Sequence, residues 1–271
     1  EDSPARPVKL SVQIHPYADN YKLLLSQDIT ALSQAEAMRR DFVANVSHEI
    51  RTPLTVLAGF VETLQNLPLE EDERRRYLEL MSQQAERMQH LVEDLLTLSR
   101  LEGSPPPSHN DWMSVAQLLK RCENEARGLS ATLTRKQNRP HVLNFPDDAV
   151  LAQAGDIAGA SAELHSAFSN LLGNAMRYTP AGGQIDVSWV QLADGSARFA
   201  VKDSGPGIDP KHVARLTERF YRVDRSRSRD TGGTGLGLAI VKHVLQRHGA
   251  VLSIASEQGK GSEFAVTFPA S

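Results

Sequence analysis

From about Ala31 to Leu98 the apolar residues recur at three- and four-residue intervals, the spacing of one face of an α-helix. Phe42, Val46, Ile50, Leu54, Leu57, Val61 and Leu64 trace one stripe, and Leu78, Met81, Met88, Leu91, Leu95 and Leu98 trace a second. Residues 65–72, which carry Pro68, separate the two, because proline ends or kinks a helix. At 1.5 Å of rise per residue the first run reaches about 50 Å. The pattern therefore predicts two long helices folded back on each other as an antiparallel hairpin. Such a hairpin buries too little apolar surface to stand alone, and its stripe is wider than one partner helix can cover. Dimerisation into a four-helix bundle is the expected remedy.

The flanks read differently. Val8, Leu10, Val12 and Ile14 alternate, as do Leu23 and Leu25, with a polar turn over residues 15–20, so the opening reads as a β-hairpin. A lone hairpin is marginal in water, and this one is expected to be the tail of a larger domain. Residues 103–108, with Pro105, Pro106 and Pro107, read as a linker. Beyond it, strand-like alternation near residues 185–190, 199–202, 251–255 and 264–268 interleaves with helical spacing, the signature of an α/β domain. The expected fold class is α+β and multidomain, divided as 1–30, 31–103 and 104–271.

Composition narrows the function. The chain of 271 residues is 40% hydrophobic and 23% charged, the balance of an ordinary globular protein. A net charge of −3 gives no general attraction for nucleic acid or an anionic membrane. The single cysteine, Cys122, cannot form an internal disulfide and is expected to be buried. No stretch approaches the roughly 18 apolar residues of a membrane span. The chain opens on Glu1 and already reads as strand, so it is expected to be a soluble, cytoplasmic piece of a longer protein.

Four motifs carry chemistry. Val46-Ser47-His48-Glu49-Ile50-Arg51-Thr52-Pro53-Leu54 sets a histidine beside a carboxylate within the first stripe. A neutral imidazole is a good nucleophile when one nitrogen is held protonated, and Glu49 is the obvious holder. Neighbouring helix positions point about 100° apart, so Glu49 must reach around to the ring. Thr52 shares the face of His48, where its hydroxyl could position a water, and Pro53 removes the amide that would bond the carbonyl of Glu49. An isolated His-Glu pair is otherwise just a wet helix face. A zinc site is excluded because no second histidine follows at His-Glu-x-x-His spacing.

The second motif places Asn170 and Asn174 on one helical face, where two neutral oxygens could complete the shell of a phosphate-bound Mg²⁺. Alone, they read first as exposed asparagines. The third, Asp203-Ser204-Gly205-Pro206-Gly207-Ile208, follows a strand. A buried aspartate can accept from an adenine amino group while Gly205 and Gly207 let the backbone turn beneath the base. The fourth, Gly232-Gly233-Thr234-Gly235-Leu236-Gly237-Leu238, opens a helix with free amides where phosphates can sit. It lacks the G-x-G-x-x-G spacing of a dinucleotide site. Between these two boxes, Phe220 and Arg222 lead into an arginine-rich run with Arg225, Arg227 and Arg229. That run reads as a lid over ATP or as a solvated basic loop. It lacks the aromatic platform of a nucleic-acid site.

Taken in order, SHEIRTPL, NLLGNAMRYT, DSGPGI, ERFYRVD and GGTGLGLAIVKH resemble the boxes of the sensor histidine kinases of two-component systems, over roughly residues 31–268. The resemblance implies a dimeric phosphotransfer bundle followed by a GHKL-type (Bergerat) ATP-binding α/β sandwich, shared with gyrase, the Hsp90 chaperones and MutL. It makes His48 the phosphoacceptor, with Glu49 and Thr52 serving catalysis and dephosphorylation of the partner. Asp203 then reads adenine, Asn174 with Asn170 holds Mg²⁺, Arg177 approaches phosphate and Tyr178 lines the base pocket. Gly205, Gly207, Phe220, Arg222, Gly233, Thr234, Gly235, Leu236 and Gly237 complete the ATP site. Hydrolysing members of the wider ATPase group carry a glutamate four residues before the magnesium asparagine. Here Asn170 stands there, so transfer to histidine is expected over hydrolysis. Domain swinging about the linker at 103–108 is the expected motion.

The longer runs RLTERFYRVDRSRSRDTGGTGLGLAIVKH and DFVANVSHEIRTPLTVLAGF are similar to the phosphate-regulon branch of this family. In that branch a PAS domain precedes the bundle, and the strands within residues 8–29 would be its last two. The partners implied are a second copy of the chain, the receiver domain of a PhoB-like response regulator, and a phosphate-transport accessory protein acting through the PAS domain. Ile50 where leucine is common and Arg177 where lysine is common are the small departures. The rival readings are an ATPase of the same fold without a phosphohistidine, and a dimeric scaffold that only binds nucleotide.

Overall fold

The computed structural model describes residues 8–17, 21–108, 111–135, 137–223 and 233–270. The chain forms two compact units, Glu1–Gln84 and Ala85–Ser271, and the boundary falls inside the second long helix.

In the first unit, strands β1 (Leu10–Tyr17) and β2 (Tyr21–Asp28) pair antiparallel, with Leu10 opposite Asp28 and Tyr17 opposite Tyr21. The ladder continues through His15 and Pro16, which the polarity of that stretch assigned to the turn. Backbone pairing carries polar residues along, and proline is tolerated in a two-stranded ribbon where both strands are edges. The apolar side chains of the hairpin stay exposed, Ile14 at 60% and Leu24 at 59%. Its far end is joined to the first helix by hydrogen bonds. Lys9 O accepts from Ile29 N at 2.8 Å, Thr30 Oγ1 accepts from Lys9 N at 2.7 Å, and Asp28 Oδ1 accepts from Thr30 N at 2.8 Å. The Thr30 hydroxyl and then its amide hold the Asp28 carboxyl below its ordinary value.

Helix α1 (Thr30–Asn66) runs 37 residues and continues through Pro53, its one buried residue. Residues 67–70, with Pro68, turn the chain into α2 (Glu71–Gly103), whose first turn carries Glu71, Asp72 and Glu73 where the helix dipole favours negative charge. The ring of Tyr77 lies 5.5 Å from that of Phe60, so α2 returns alongside α1. The stripes are only partly covered: Leu54 is 48% exposed, Val61 38% and Leu78 49%. These are stripe positions, and their exposure is the surplus that the width of the pattern implied.

The second unit adds β3 (Trp112–Ser114), α3 (Val115–Leu133), β4 (Val142–Asn144), α4 (Asp148–Gln153), β5 (Asp156–Ala158), α5 (Ser161–Tyr178), β6 (Gln184–Gln191), β7 (Ala197–Asp203), α6 (Pro210–Val213), α7 (Gly237–Arg247), β8 (Val251–Glu257) and β9 (Gly261–Phe268). Five strands form one sheet in the order β4-β6-β7-β9-β8, with β4 parallel to β6 and the other neighbours antiparallel. Ile185, Val187 and Trp189 of β6 alternate inward and are buried. Helix α5 packs against α3, α7 and β7. Its Phe168 stacks on Phe199 of β7 with ring centroids 3.8 Å apart, and both rings are fully buried. The layer of helices on a mostly antiparallel sheet is the α+β architecture expected. The strands of three residues, β3, β4 and β5, are too short for alternation to reveal them in the sequence. Cys122 lies in α3, and burial pushes its thiol up to about 12, so it is an inert core residue. Among the described residues no helix is long and apolar enough to cross a membrane.

The Phe168–Phe199 stack joins the helix layer to the sheet. Phe168→Ala is expected to lower stability by about 3–5 kcal/mol, read as a shift in the denaturant midpoint of the second unit's transition.

Candidate functional site

The chemistry-bearing residues of the first unit lie on α1. The His48 side chain is 72% exposed and that of Glu49 25%, and His48 Nδ1 lies 4.0 Å from Glu49 Oε1. A carboxylate on the Nδ1 side favours the tautomer with its proton there, which leaves the Nε2 lone pair free and facing away. The pair is slightly beyond hydrogen-bond length. The Thr52 hydroxyl commits its proton to the backbone and keeps acceptor capacity for a water. Its Oγ1 donates to His48 O at 3.1 Å, as the hydroxyls of Ser47, Thr55 and Thr63 donate to carbonyls four residues back. On a helix surface this local acceptor is always in reach.

The other sequence-predicted residues lie in the second unit. Helix α5 carries Asn170, Asn174, Arg177 and Tyr178 along one flank, and Asn170 and Tyr178 stand about 12 Å apart along its axis at 1.5 Å per residue. Asn170 Nδ2 donates to Ser166 O at 2.9 Å. Its Oδ1 is turned onto α7, so close that a Cβ added at Gly237 would sit 2.4 Å from it. Gly237 is thus what allows the start of α7 to close on α5. The half-buried Asn174 makes no side-chain hydrogen bond with the described residues, so its amide oxygen is open to a ligand.

At the Tyr178 end, Asp203 closes β7 and is 6% exposed. Its Oδ1 accepts from Gly205 N at 2.9 Å and the carboxylate also takes the Ser262 amide. Burial raises its pKa against those two donors, as expected for a carboxyl in a site that water scarcely reaches. A Cβ at Gly205 would meet Asp203 Oδ1 at 2.8 Å and Tyr178 O at 3.0 Å. Gly207 has φ +69°, and a Cβ there would lie 2.0 Å from Glu257 O. The first glycine box therefore packs by its backbone on the β8–β9 turn.

At the Asn170 end, Phe220 has φ +62°, a conformation costly for an aromatic residue. Its amide donates to Gly235 O at 2.8 Å. Gly235 has φ +76°, and a Cβ on it would sit 2.9 Å from Phe220 Cα and 3.4 Å from Arg222 Cγ. The two boxes hold each other in a shape that neither would keep alone. Thr234 is buried, and its Oγ1 accepts from Leu236 N at 3.2 Å. It also donates to Asp94 Oδ2 of α2 at 2.5 Å. Arg225, Arg227 and Arg229 of the expected lid fall outside the described residues, as does Gly232, while among the described residues nothing lies within 4 Å of a Cβ built on Gly233.

Asp94 was not legible as a site residue, although one signal pointed to it. It lies three residues after Leu91 and four before Leu98, so a carboxylate stands on the face that those two leucines bury.

Comparison with known proteins finds two domains. Residues 38–104 match the His Kinase A (phospho-acceptor) domain. Residues 159–271 match the histidine kinase-, DNA gyrase B- and HSP90-like ATPase family. The chain is also 50% identical over 264 residues to the phosphate regulon sensor protein PhoR of Pseudomonas aeruginosa, covering 96% of this chain. The chain belongs to the sensor histidine kinases. It spans 57% of the length of that PhoR, a little over half of the curated relative. Among histidine kinases of known structure, full-length ShkA in complex with AMPPNP is 26% identical, with a TM-score of 0.55 over 84% of this chain and 45% of that one. Histidine kinase ThkA in complex with response regulator protein TrrA shares the fold at 16% identity, with a TM-score of 0.61 over 97% of this chain and 79% of that one. The helical hairpin and the sandwich of the histidine kinases are thus both present.

The glycine contacts give a direct check of this geometry. Gly207→Ala, which forces a side chain into a positive φ against a backbone carbonyl, is expected to cost at least about 1–3 kcal/mol in a denaturant melt. Gly233→Ala, where no described residue approaches, should stay within about 0.5 kcal/mol of the parent.

Proposed function

We propose that this chain is the catalytic portion of a phosphate-regulon sensor kinase. It moves the γ-phosphoryl group of Mg-ATP onto His48 and passes it on to an aspartate in the receiver domain of a PhoB-like response regulator. The observation that carries this reading is the exposed His48 imidazole, backed by Glu49, in a chain whose nucleotide site has an asparagine at position 170. Asn170 is engaged with Ser166 O and packed on Gly237, so no carboxylate stands there to activate water.

Adenine seats against Asp203, whose carboxylate retains acceptor capacity beyond the two amides it already takes. Gly205 and Gly207 give the base its close floor, and the half-exposed Tyr178 covers one side. The phosphates extend toward the start of α7, where Gly235 and Gly237 present amides, with Arg177 and Arg222 supplying positive charge. The open amide of Asn174 fits a Mg²⁺ ligand better than the engaged amide of Asn170. A bound Mg²⁺ would supply neutralisation of the phosphate charge. His48 Nε2 forms a bond to the γ-phosphorus as the bond to the ADP oxygen breaks, and Glu49 stabilises the positive charge that develops at Nδ1–H. Because the transition state is loose, catalysis is mostly positioning and charge neutralisation.

The partly exposed stripe residues Leu54, Val61 and Leu78 support a homodimeric four-helix bundle for residues 31–103. Residues 104–271 then form the ATP-binding domain, and the hairpin within residues 1–30 the end of a PAS domain that receives a phosphate-transport accessory protein.

Incubation with γ-labelled ATP and Mg²⁺ tests the reading. The parent is expected to acquire label that survives base and is lost in acid, and His48→Gln none. An unlabelled parent that releases free phosphate would instead make the chain an ATPase without a phosphohistidine. Thr52→Ala should leave autophosphorylation within about twofold while slowing dephosphorylation of the phosphorylated receiver about tenfold or more, measured as loss of label from the isolated phosphoreceiver.

A further inference from the structure

The last turns of α2 are fastened to the ATP-binding unit by three sets of polar contacts. At the end of α7, the Arg247 guanidinium donates to Leu101 O at 2.9 Å, Ser104 O at 2.8 Å and Pro105 O at 2.7 Å. It also donates to both carboxylate oxygens of Glu163 at 2.9 Å, with its side chain only 11% exposed. Leu101 O is one of the carbonyls a helix end leaves without an intrahelical donor, and Ser104 and Pro105 lie just past that end, so Arg247 caps α2 and clamps the start of the proline-rich linker. Glu102 pairs with Arg219, the residue before Phe220. Thr234 of the second glycine box donates to Asp94. Leu91, Leu98 and Leu101 are buried along the same stretch.

The Asp94 contact differs in kind from the other two. Thr234 Oγ1 accepts from Leu236 N while donating to Asp94, which sets the carboxylate over the N-terminal end of α7. That helix end, whose first amides have no acceptor within the helix and whose dipole is positive, favours an anion. Burial pushes the Asp94 carboxyl above its ordinary value, against the pull of the Thr234 hydroxyl and the charges of Arg177 and His90. Holding a carboxylate there is therefore costly, and the contact is one that a stronger anion can displace.

We propose that Asp94 is a built-in anionic plug at the phosphate end of the nucleotide site, and that residues 85–103 of α2 form a strap that ATP must displace to bind. This rests on the ATP reading of the glycine boxes given above. The phosphates and Asp94 compete for Thr234, Arg177 and the start of α7, and two like charges in a half-buried site repel. Loading of nucleotide and loosening of the strap are then coupled, and the coupling is reciprocal. Once Asp94 is displaced, Glu102–Arg219 and the Arg247 clamp remain to tether the helix.

The test uses the whole chain with Asp94→Asn and Asp94→Ala. Affinity for trinitrophenyl-ATP with Mg²⁺ is measured by fluorescence, beside hydrogen exchange of residues 85–103 with and without nucleotide. Both variants are expected to bind about 3- to 10-fold more tightly. In the parent, nucleotide should speed exchange across residues 85–103, and Asp94→Ala should show that faster exchange without nucleotide. Asp94→Asn keeps an acceptor for Thr234, so it should tighten binding while leaving nucleotide-free exchange near the parent's. A parent that binds nucleotide while both variants bind equally or more weakly would overturn the plug alone. A parent that binds no nucleotide would overturn the ATP reading and the plug with it.

Discussion

The nucleotide site rests on two places where backbone touches backbone with no room for a side chain. A Cβ on Gly261 would fall 1.9 Å from Asp203 O, and one on Gly207 would fall 2.0 Å from Glu257 O. These contacts bring the end of β7, the first glycine box and the β8–β9 turn to a single point. Asp203 is buried there because the chain on both sides of it has been drawn in, and its carboxylate finds its donors in the amides of Gly205 and Ser262. The burial of this carboxylate is thus a by-product of glycine placement in a twisted sheet.

From that point α5 carries the site outward. Its buried side, through Phe168 on Phe199, is bolted to the sheet, and the flank bearing Asn170, Asn174 and Tyr178 is therefore held rigidly. At the far end, the interlock of Phe220 with Gly235 keeps the second glycine box and the aromatic box in register at the cost of a strained backbone. Strain of this sort survives only where neighbouring contacts over-determine it. The close packing of Asn170 on Gly237 supplies that constraint.

Much of this was legible in the residue pattern. The two stripes gave the helices to within a few residues, and the proline at 68 gave their separation. The alternating runs gave the four long strands of the main sheet, and the glycine boxes gave two places where the backbone packs too closely for a side chain, because spacing and backbone freedom are written in residue type. What could not be read depended on neighbours distant in sequence. Thr52 turns to the carbonyl of His48, a local competition that residue type alone does not decide. The three-residue strands β3, β4 and β5 exist because partners hold them, with too few residues to show a period. Asp94 meets Thr234 across 140 positions, and only its place on a leucine-lined face hinted that it was not solvated.

Arg247 binds Glu163 at the start of α5, ends α7, and caps α2 at Leu101 while holding Ser104 and Pro105. One side chain thereby makes the last turns of α2 part of the ATP-binding unit, in keeping with a compact unit that begins at Ala85. For anyone building chimaeric kinases, the last turns of α2 are then best kept with the domain they are fastened to. A join made in the proline-rich linker would have to preserve the path of the backbone there, because the guanidinium binds main-chain carbonyls by position and reads no side chain.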